Sequence, residues 1–226
     1  MALLGSGAMV LWFDIVPEGI VEHDDWHTHE HLPERLSIPG FLRGSRWKAL
    51  GAPPDYFVLY EVEQVDALVS DAYLARLNAP TAWTARMMTY YRRMTRGFCR
   101  VTGDFGAGVG HVCVAIRCKP AQHGEAALRD WLMREALPRL PSQPGLTSAH
   151  LLEAAIMPPM TNEQRIRGND ATVDWVVLVL GYSEETVREW CARTLPASEF
   201  ERHGADTIAL GSYRLEYSLI TSGLVS

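Results

Sequence analysis

One stretch of this chain is written twice, and that repetition limits the possible folds more than any other feature. Residues 25–40 read Asp-Trp-His-Thr-His-Glu-His-Leu-Pro-Glu-Arg-Leu-Ser-Ile-Pro-Gly. About a hundred residues later the same frame returns as Asp130-Trp131, Glu135, Leu137-Pro138, Leu140 and Pro144-Gly145. The tryptophan, the glutamate, Leu-Pro and Pro-Gly survive in the second version, and the histidines do not. Four of the chain's eight histidines, His23, His27, His29 and His31, crowd around the first version. What both versions share is expected to be scaffold. What only the first one keeps is where chemistry is expected.

The surrounding pattern repeats as well. Residues 9–16 are apolar and rich in strand formers, closed by Pro17. Residues 22–36 read as a helix, with Asp24 or Asp25 suited to its positive end and Pro33 expected to kink it or loosen its last turn. Pro39-Gly40 turns into a strand at 41–49, and the short connection 51–55 leads to another at 56–62. A helix at 65–77, a helical stretch through Trp83 and Tyr90, and a strand near 97–101 complete the order βαββαβ. Residues 102–110, rich in glycine, read as a joint. The order then restarts with strand 112–118, helix 125–140, strands 146–154 and 173–180, helix 184–193 and strand 213–220. Tyr56-Phe-Val-Leu-Tyr finds its counterpart in Trp175-Val-Val-Leu-Val.

A repeat of roughly 105 residues is too long for a solenoid unit and long enough for a small αβ domain. The expected division is residues 1–104, histidine-rich and active, and residues 111–226, mainly scaffold. One departure stands out: a polar segment, 157–170, replaces the short connection 51–55. Segments of that length are either lids or disordered surface decoration, and both readings stay open.

Composition removes several function classes. A hydrophobic share of 47% with 21% charged residues is that of a globular protein with a full core. The net charge of −6 speaks against nucleic acid as a partner, which would call for a basic face. No apolar run approaches the roughly 20 residues that cross a bilayer, so no membrane partner is expected. The N-terminus lacks the basic residues of a signal peptide. Cys99, Cys113, Cys118 and Cys191 include no Cys-x-x-Cys and read as reduced, buried thiols of a cytoplasmic protein.

The run Trp26, Glu30-His31-Leu32-Pro33-Glu34-Arg35-Leu36, Pro39-Gly40-Phe41 and Arg46-Trp47 resembles the dimeric α/β-barrel superfamily, especially its EthD-like members. In those, a helix with Glu-His-(Leu/Ile)-Pro-Glu precedes a Pro-Gly-Phe turn and an arginine-bearing strand. The resemblance is clear over 9–62, fainter to 101, and survives in the second half as scaffold. It implies an α+β fold of two ferredoxin-like βαββαβ repeats that form a pseudo-dimeric α/β barrel within one chain. Any homodimer would come on top of that internal pair. The superfamily includes cofactor-free monooxygenases, cyclases, isomerases and haem enzymes, so the fold does not name the reaction.

The candidate catalytic residues are His29, His31, Glu30 and Arg46. At about 100° per residue, Trp26, Leu32, Pro33 and Leu36 define an apolar arc that contains His29, with His27 and His31 on the other side. The wheel therefore favours His29, whereas the family resemblance favours His31. Either imidazole suits proton transfer near neutral pH, with Glu30 to orient it. Glu30 persists as Glu135, so a bracing role is the rival reading. Arg46, opposite Leu151 in the second copy, suits an anionic oxygen. Trp12, Trp26, Trp47, Tyr60 and Trp83 are candidate substrate-binding residues, as are Asp14 and Tyr90, although core packing explains each equally well. His27 and His31, at i and i+4 with Glu34 or His23 nearby, are the residues a metal would use, but an exposed histidine-rich face is the favoured account. No metal and no cofactor are expected.

The expected function is acid/base chemistry by a cofactor-independent lyase, isomerase or cyclase on a small apolar or aromatic carbonyl metabolite. The alternatives are a non-catalytic or stress-associated binding barrel and a cofactor-free monooxygenase.

Overall fold

Consecutive apolar residues, as in Met9-Val-Leu-Trp-Phe13, Tyr56–Tyr60 and Trp175–Val179, mark strands that are covered on both faces. A computed structural model, which describes residues 2–157 and 159–221, shows what covers them. The strands are β1 (Gly7–Ile15), β2 (Phe41–Ala49), β3 (Tyr56–Val62), β4 (Tyr91–Gly106), β5 (Val112–Pro120), β6 (Leu146–Ile156), β7 (Ala171–Thr172), β8 (Trp175–Gly181) and β9 (Ala205–Ile220). All but β7 join in an antiparallel ring, β1-β3-β2-β9-β5-β8-β6-β4, which β4 closes by pairing with β1. β7 adds to β4 in parallel. The order β4-β1-β3-β2 recurs as β9-β5-β8-β6, with seams at β2–β9 and β6–β4.

Helices wrap the outside. The first layer holds α1 (Ile20–Trp26), a π-helical turn (His27–His31), α2 (Leu32–Leu36), a 3-10 turn (Val65–Val69), α3 (Asp71–Asn78) and α4 (Ala82–Met88). The second holds α5 (Glu125–Trp131), a π-helical turn (Leu132–Ala136), a 3-10 turn (Leu137–Arg139), α7 (Glu184–Thr194) and α8 (Ala197–Arg202). Between α5 and α7 in the chain comes α6 (Asn162–Arg167). Three packed cores result. The barrel interior is filled by Val10, Trp12, Trp47, Phe57 and Leu178. Met9, Phe13, Trp26, Leu32 and Val58 pack under the first helical layer, and Val114, Ile116, Trp131, Leu137 and Val177 under the second.

Several elements differ from the sequence expectation for physical reasons. The helix at 22–36 is interrupted by a π turn, His27–His31, just before Pro33. The Leu32 N–H bonds back five residues to His27 O, and the Leu137 N–H does the same to Leu132 O. In both places the next residue is a proline, which has no N–H to continue the regular ladder, so the wider turn is accommodated there. The glycine-rich joint is shorter than expected. Thr102–Gly106 stay in β4, paired with β6 from Leu151 to Ser148, and only 107–111 connect the halves. β9 likewise begins at Ala205, not near 213, because it spans both β5 and β2. Pro158 of the 157–170 segment lies outside the described residues, but the segment is not loop throughout, since it contains α6.

The two Pro-Gly turns hold glycine at φ +89° (Gly40) and +84° (Gly145), where an L side chain is strained. A Cβ on Gly145 would also lie 2.7 Å from Thr186 Cβ, and one on Gly40 2.9 Å from Ala67 Cβ. Gly40→Ala and Gly145→Ala should each destabilise the fold by about 1–2 kcal/mol. In thermal denaturation followed by circular dichroism this corresponds to a drop in Tm of roughly 2–8 °C. An unchanged Tm in either variant would contradict the strain.

Candidate active site

The π turn decides which histidines face the sheet. Its wider closure lines up residues four apart, so His23, His27 and His31 descend one buried face, with ring centroids 5.4 Å and 5.5 Å apart. His29 lies on the opposite side with its side chain 70% exposed, next to Asp25. This corrects the regular-helix wheel, which turned His29 inward and His27 and His31 outward.

His27 and His31 line a cavity of about 30 Å³ between the first helical layer and the sheet, room for one or two water molecules. Tyr60, Tyr73, Tyr91, Met88 and Met94 form further walls. Four buried polar atoms on the lining side chains have no hydrogen-bond partner among the described residues: His27 Nδ1, His31 Nδ1, Tyr60 Oη and Arg96 Nε. Burial lowers the pKa of both imidazoles well below the usual histidine value, and neighbouring positive groups, His23 and Arg46 for His27 and Arg35 for His31, lower them further. Burial also raises the Tyr60 phenol. At neutral pH the cavity therefore presents neutral imidazoles and a protonated phenol. Behind Tyr91, whose Oη lies 3.2 Å from His23 Nε2, His23 Nδ1 meets Asp24 at 3.0 Å.

The second half fills the same place with carbon. At the repeat offset His27, His31 and Arg35 correspond to Leu132, Ala136 and Leu140, all inside the packed second layer. One layer is a core, and its counterpart is a core with a polar hole in it.

Residues from the second half close that hole. Helix α6 begins at Thr161, whose side chain accepts from the Gln164 N–H, and Asn162 makes two hydrogen bonds to Asn78 of α3. Glu163 pairs with Arg35 at 2.5 Å, with both side chains buried. Burial opposes the Arg35 charge, but Glu163, with the Tyr73 and Tyr60 hydroxyls, offsets this and raises its pKa. Arg167 grips Asp170 through Nε and Nη2 at 3.0 and 2.6 Å. Arg96 of β4 reaches Gln164 at 3.2 Å and Asp170 at 3.1 Å. The 157–170 segment thus lays a charged helix over the first half's cavity.

The remaining candidates sit elsewhere. Glu30 accepts hydrogen bonds from Trp26 Nε1, Thr81 and Thr84, tying the π turn to α4. Arg46 donates to Asp24 O and Thr28 Oγ1 and pairs with Glu216, bracing α1 against β2 and β9. Trp12 stacks on Phe57 inside the barrel, where Trp47 also lies. Trp83 bonds Glu22 on the outer surface of the helices, and Asp14 pairs with Arg93. Trp26 packs on His31 with centroids 4.3 Å apart, and Tyr60 lines the cavity directly. Sequence reasoning missed Arg35, Tyr73, Tyr91, Arg96, Glu163 and Arg167. For Arg35 a signal was present, since leucine stands opposite it in the repeat; the others come from elements whose reach depends on the fold.

A metal or haem would need an imidazole steered by a partner on its other nitrogen. Neither His27 nor His31 has one at Nδ1, and among the described residues no group of three or more His, Cys, Asp or Glu is placed to hold a metal ion. The site does not fit such a group.

No protein-family model and no curated protein matches this chain. Solved structures do. An anthrone oxidase-like protein superposes with a TM-score of 0.67 at 9% identity, covering 95% of this chain and 92% of its own. A candidate monooxygenase from Fusobacterium nucleatum subsp. nucleatum gives 0.62 at 5% identity, with 96% of each chain covered. A candidate chlorite dismutase gives 0.55 at 11% identity, with 98% of each covered. The chain therefore has the dimeric α+β-barrel fold. No helix of the described residues is long and apolar enough to cross a membrane.

Because Arg35 and Glu163 are both buried, removing one leaves the other's charge uncompensated. Glu163→Ala should cost about 3–5 kcal/mol in urea unfolding, and Arg35→Leu with Glu163→Ala should recover most of it, as the leucine opposite in the repeat suggests. A double variant no more stable than Glu163→Ala alone would show that the pair is not what holds the lid.

Proposed function

We propose that this chain is an enzyme that moves a proton on a small metabolite with an apolar or aromatic body and a carbonyl group, without a cofactor. The observation that carries the reading is that four buried atoms without a hydrogen-bond partner among the described residues, His27 Nδ1, His31 Nδ1, Tyr60 Oη and Arg96 Nε, belong to side chains that line one cavity. Buried polar atoms are nearly always satisfied, so orphans on the walls of one space call for a polar ligand there. A neutral imidazole can take a proton from carbon next to a carbonyl. The Tyr60 hydroxyl can donate to the carbonyl oxygen as it becomes an enolate, and the imidazolium then returns its proton at a new position. Glu30, His29 and Arg46 take no direct part in this reading. Glu30 and Arg46 are positioning residues for the helix that carries the imidazoles.

At about 30 Å³ the inner cavity admits only water, so the substrate enters when α6 lifts and the cavity joins the outer space beside Tyr91 and Met94. We further propose that the barrel arose by fusion of two EthD-like ferredoxin repeats, residues 1–104 and 111–226. The shared strand order, the shared π turns and the Glu30-His31-Leu32-Pro33-Glu34 motif support this. The first repeat kept its chemistry, and the second supplies scaffold and lid.

The test is hydrogen exchange. Incubated in D2O with a panel of small aromatic ketones and β-keto esters, the protein should speed deuterium incorporation at the carbon next to the carbonyl, read by NMR. His31→Ala or His27→Ala should lose about 10²–10⁴-fold of that rate, and His29→Ala should keep it. A ligand that binds with no acceleration of exchange would favour a binding protein instead.

The pKa directions give two further expectations. Both imidazoles are held below 6.5, so the active neutral form persists as pH falls and the acid limb of kcat/KM should lie below 6.5. The unfolded chain protonates these histidines near 6.5 while the fold keeps them neutral. The fold therefore binds fewer protons, and stability should decline as pH drops below about 6.5 and be unaffected by them above it. Replacing His27 by Leu together with His31 by Ala, the residues of the second copy, should raise stability by roughly 1 kcal/mol and flatten that decline. Denaturant unfolding at several pH values checks both.

A further inference from the structure

We infer that the substrate of this site carries an anionic group, a carboxylate or an ionised phenol, which docks on Arg167 and Arg96 after passing an arginine-lined mouth. The inference rests on the proton-transfer site proposed above and names what that site would recognise.

A second space, of about 460 Å³, opens outside the inner cavity and shares Tyr91, Met94 and Arg167 with it as walls. Arg92 and Arg93 flank this mouth; Asp14 pairs with Arg93 at 2.6 Å, and among the described residues no carboxylate lines the space itself. The inner cavity adds Arg35 and Arg96, with Glu163 as its one lining carboxylate. Behind the walls, Asp170 is the counter-charge for two guanidinium groups at once, Arg167 at 2.6 Å and Arg96 at 3.1 Å. The half-buried Glu34 is already engaged by Arg35 at 3.2 Å and Arg76 at 3.6 Å. Three buried guanidinium groups, Arg35, Arg96 and Arg167, thus meet two buried carboxylates, Glu163 and Asp170, with Glu34 shared between Arg35 and the exposed Arg76, and a buried charge is retained where something pairs with it.

Arginines of the wall keep donors in reserve. Arg167 is 5% exposed, with one edge spent on Asp170, and among the described residues its Nη1 meets only the Met88 sulfur, at 3.8 Å. A thioether is a weak acceptor for a cationic N–H. Arg96 Nε is buried and, despite its nearness to Asp170, lies out of line for a hydrogen bond. Planar guanidinium edges of this kind suit a two-oxygen anion. At the mouth, Arg93 adopts a left-handed backbone (φ +53°) beside a register shift in the β1–β4 pairing, and its side chain stays 69% exposed. Cations at the mouth, a cationic wall and neutral imidazoles form a path down which an anion falls while the base stays deprotonated.

The experiment uses benzoate and its neutral isostere benzamide as probes, with the intact protein, in isothermal titration calorimetry at neutral pH. Benzoate is expected to bind at least about tenfold more tightly than benzamide, as a charge-assisted contact requires. Arg167→Gln should remove that preference, whereas His31→Ala should preserve it. The two readings fail separately: a benzoate preference in an unaltered protein that does not accelerate exchange would sink only the proton-transfer reading, whereas His31→Ala that loses exchange and keeps the preference is what the two together require. Should Arg167→Gln fail to fold, Arg92→Gln serves instead, and slower benzoate association with a weaker dependence on salt is expected. Equal affinity for benzoate and benzamide in the unaltered protein, no binding of either, or a preference untouched by Arg167→Gln would overturn the inference.

Discussion

Closure of the eight-strand ring decides where chemistry can sit in this molecule. An open sheet would leave rows of unpaired backbone groups along β2 and β6; here β9 covers the first and β4 the second. Both covering strands run 16 residues because each must reach from its own sheet partner to the seam. Once closed, the ring has an inside too crowded for a ligand, with Trp12 stacked on Phe57 at 4.9 Å and Trp47 and Tyr213 beside them. Function is left to the spaces between sheet and helices. There are two such spaces, and only the first contains the histidine-lined hole.

The π turn converts that geometric freedom into a specific site. Both halves have the turn, at His27–His31 and Leu132–Ala136, each before Leu-Pro. In the second half its inward positions hold leucine and alanine and complete a core. In the first, the same backbone presents two imidazoles. The turn is therefore part of the scaffold, and the difference between the halves lies in the residue types placed on it. Glu30 follows the same logic from the other side. Its counterpart Glu135 survives where no histidine does, which agrees with its place as an acceptor for Trp26, Thr81 and Thr84.

These facts also say how much could be read from residues alone. The strand and helix order was legible because both-face burial writes continuous apolar runs and Pro-Gly marks the turns. The closed barrel followed from the resemblance of residues 9–62 to a known architecture. The inward histidine was not legible by periodicity, because a wheel assumes one angle per residue and the π turn changes it for a single turn before a proline. Arg46 was misplaced in expectation for a different reason. Its absence from the second copy marked it as special, but an arginine can be special as a brace, and its bonds to Asp24 O and Thr28 make it one. Glu163 and Arg167 lie more than a hundred residues from the histidines, and no local pattern connects a loop in one half to a cavity in the other.

That distant loop explains the asymmetry between the halves. A pocket holding His27, His31, Arg35, Arg96 and Arg167 burdens the layer it interrupts, because unpartnered donors and buried positive charge oppose packing. The second half needs no such pocket, so its connection between β6 and β8 is free to reach out and bring Glu163 and Asp170 to the arginines of the first. In a symmetric pair of separate chains, the same extended connection would appear twice and the same polar hole would be opened twice. Joined in one chain, one half can carry the cost of the site while the other half supplies the charges that offset it, and the lid comes from the half with nothing of its own to cover.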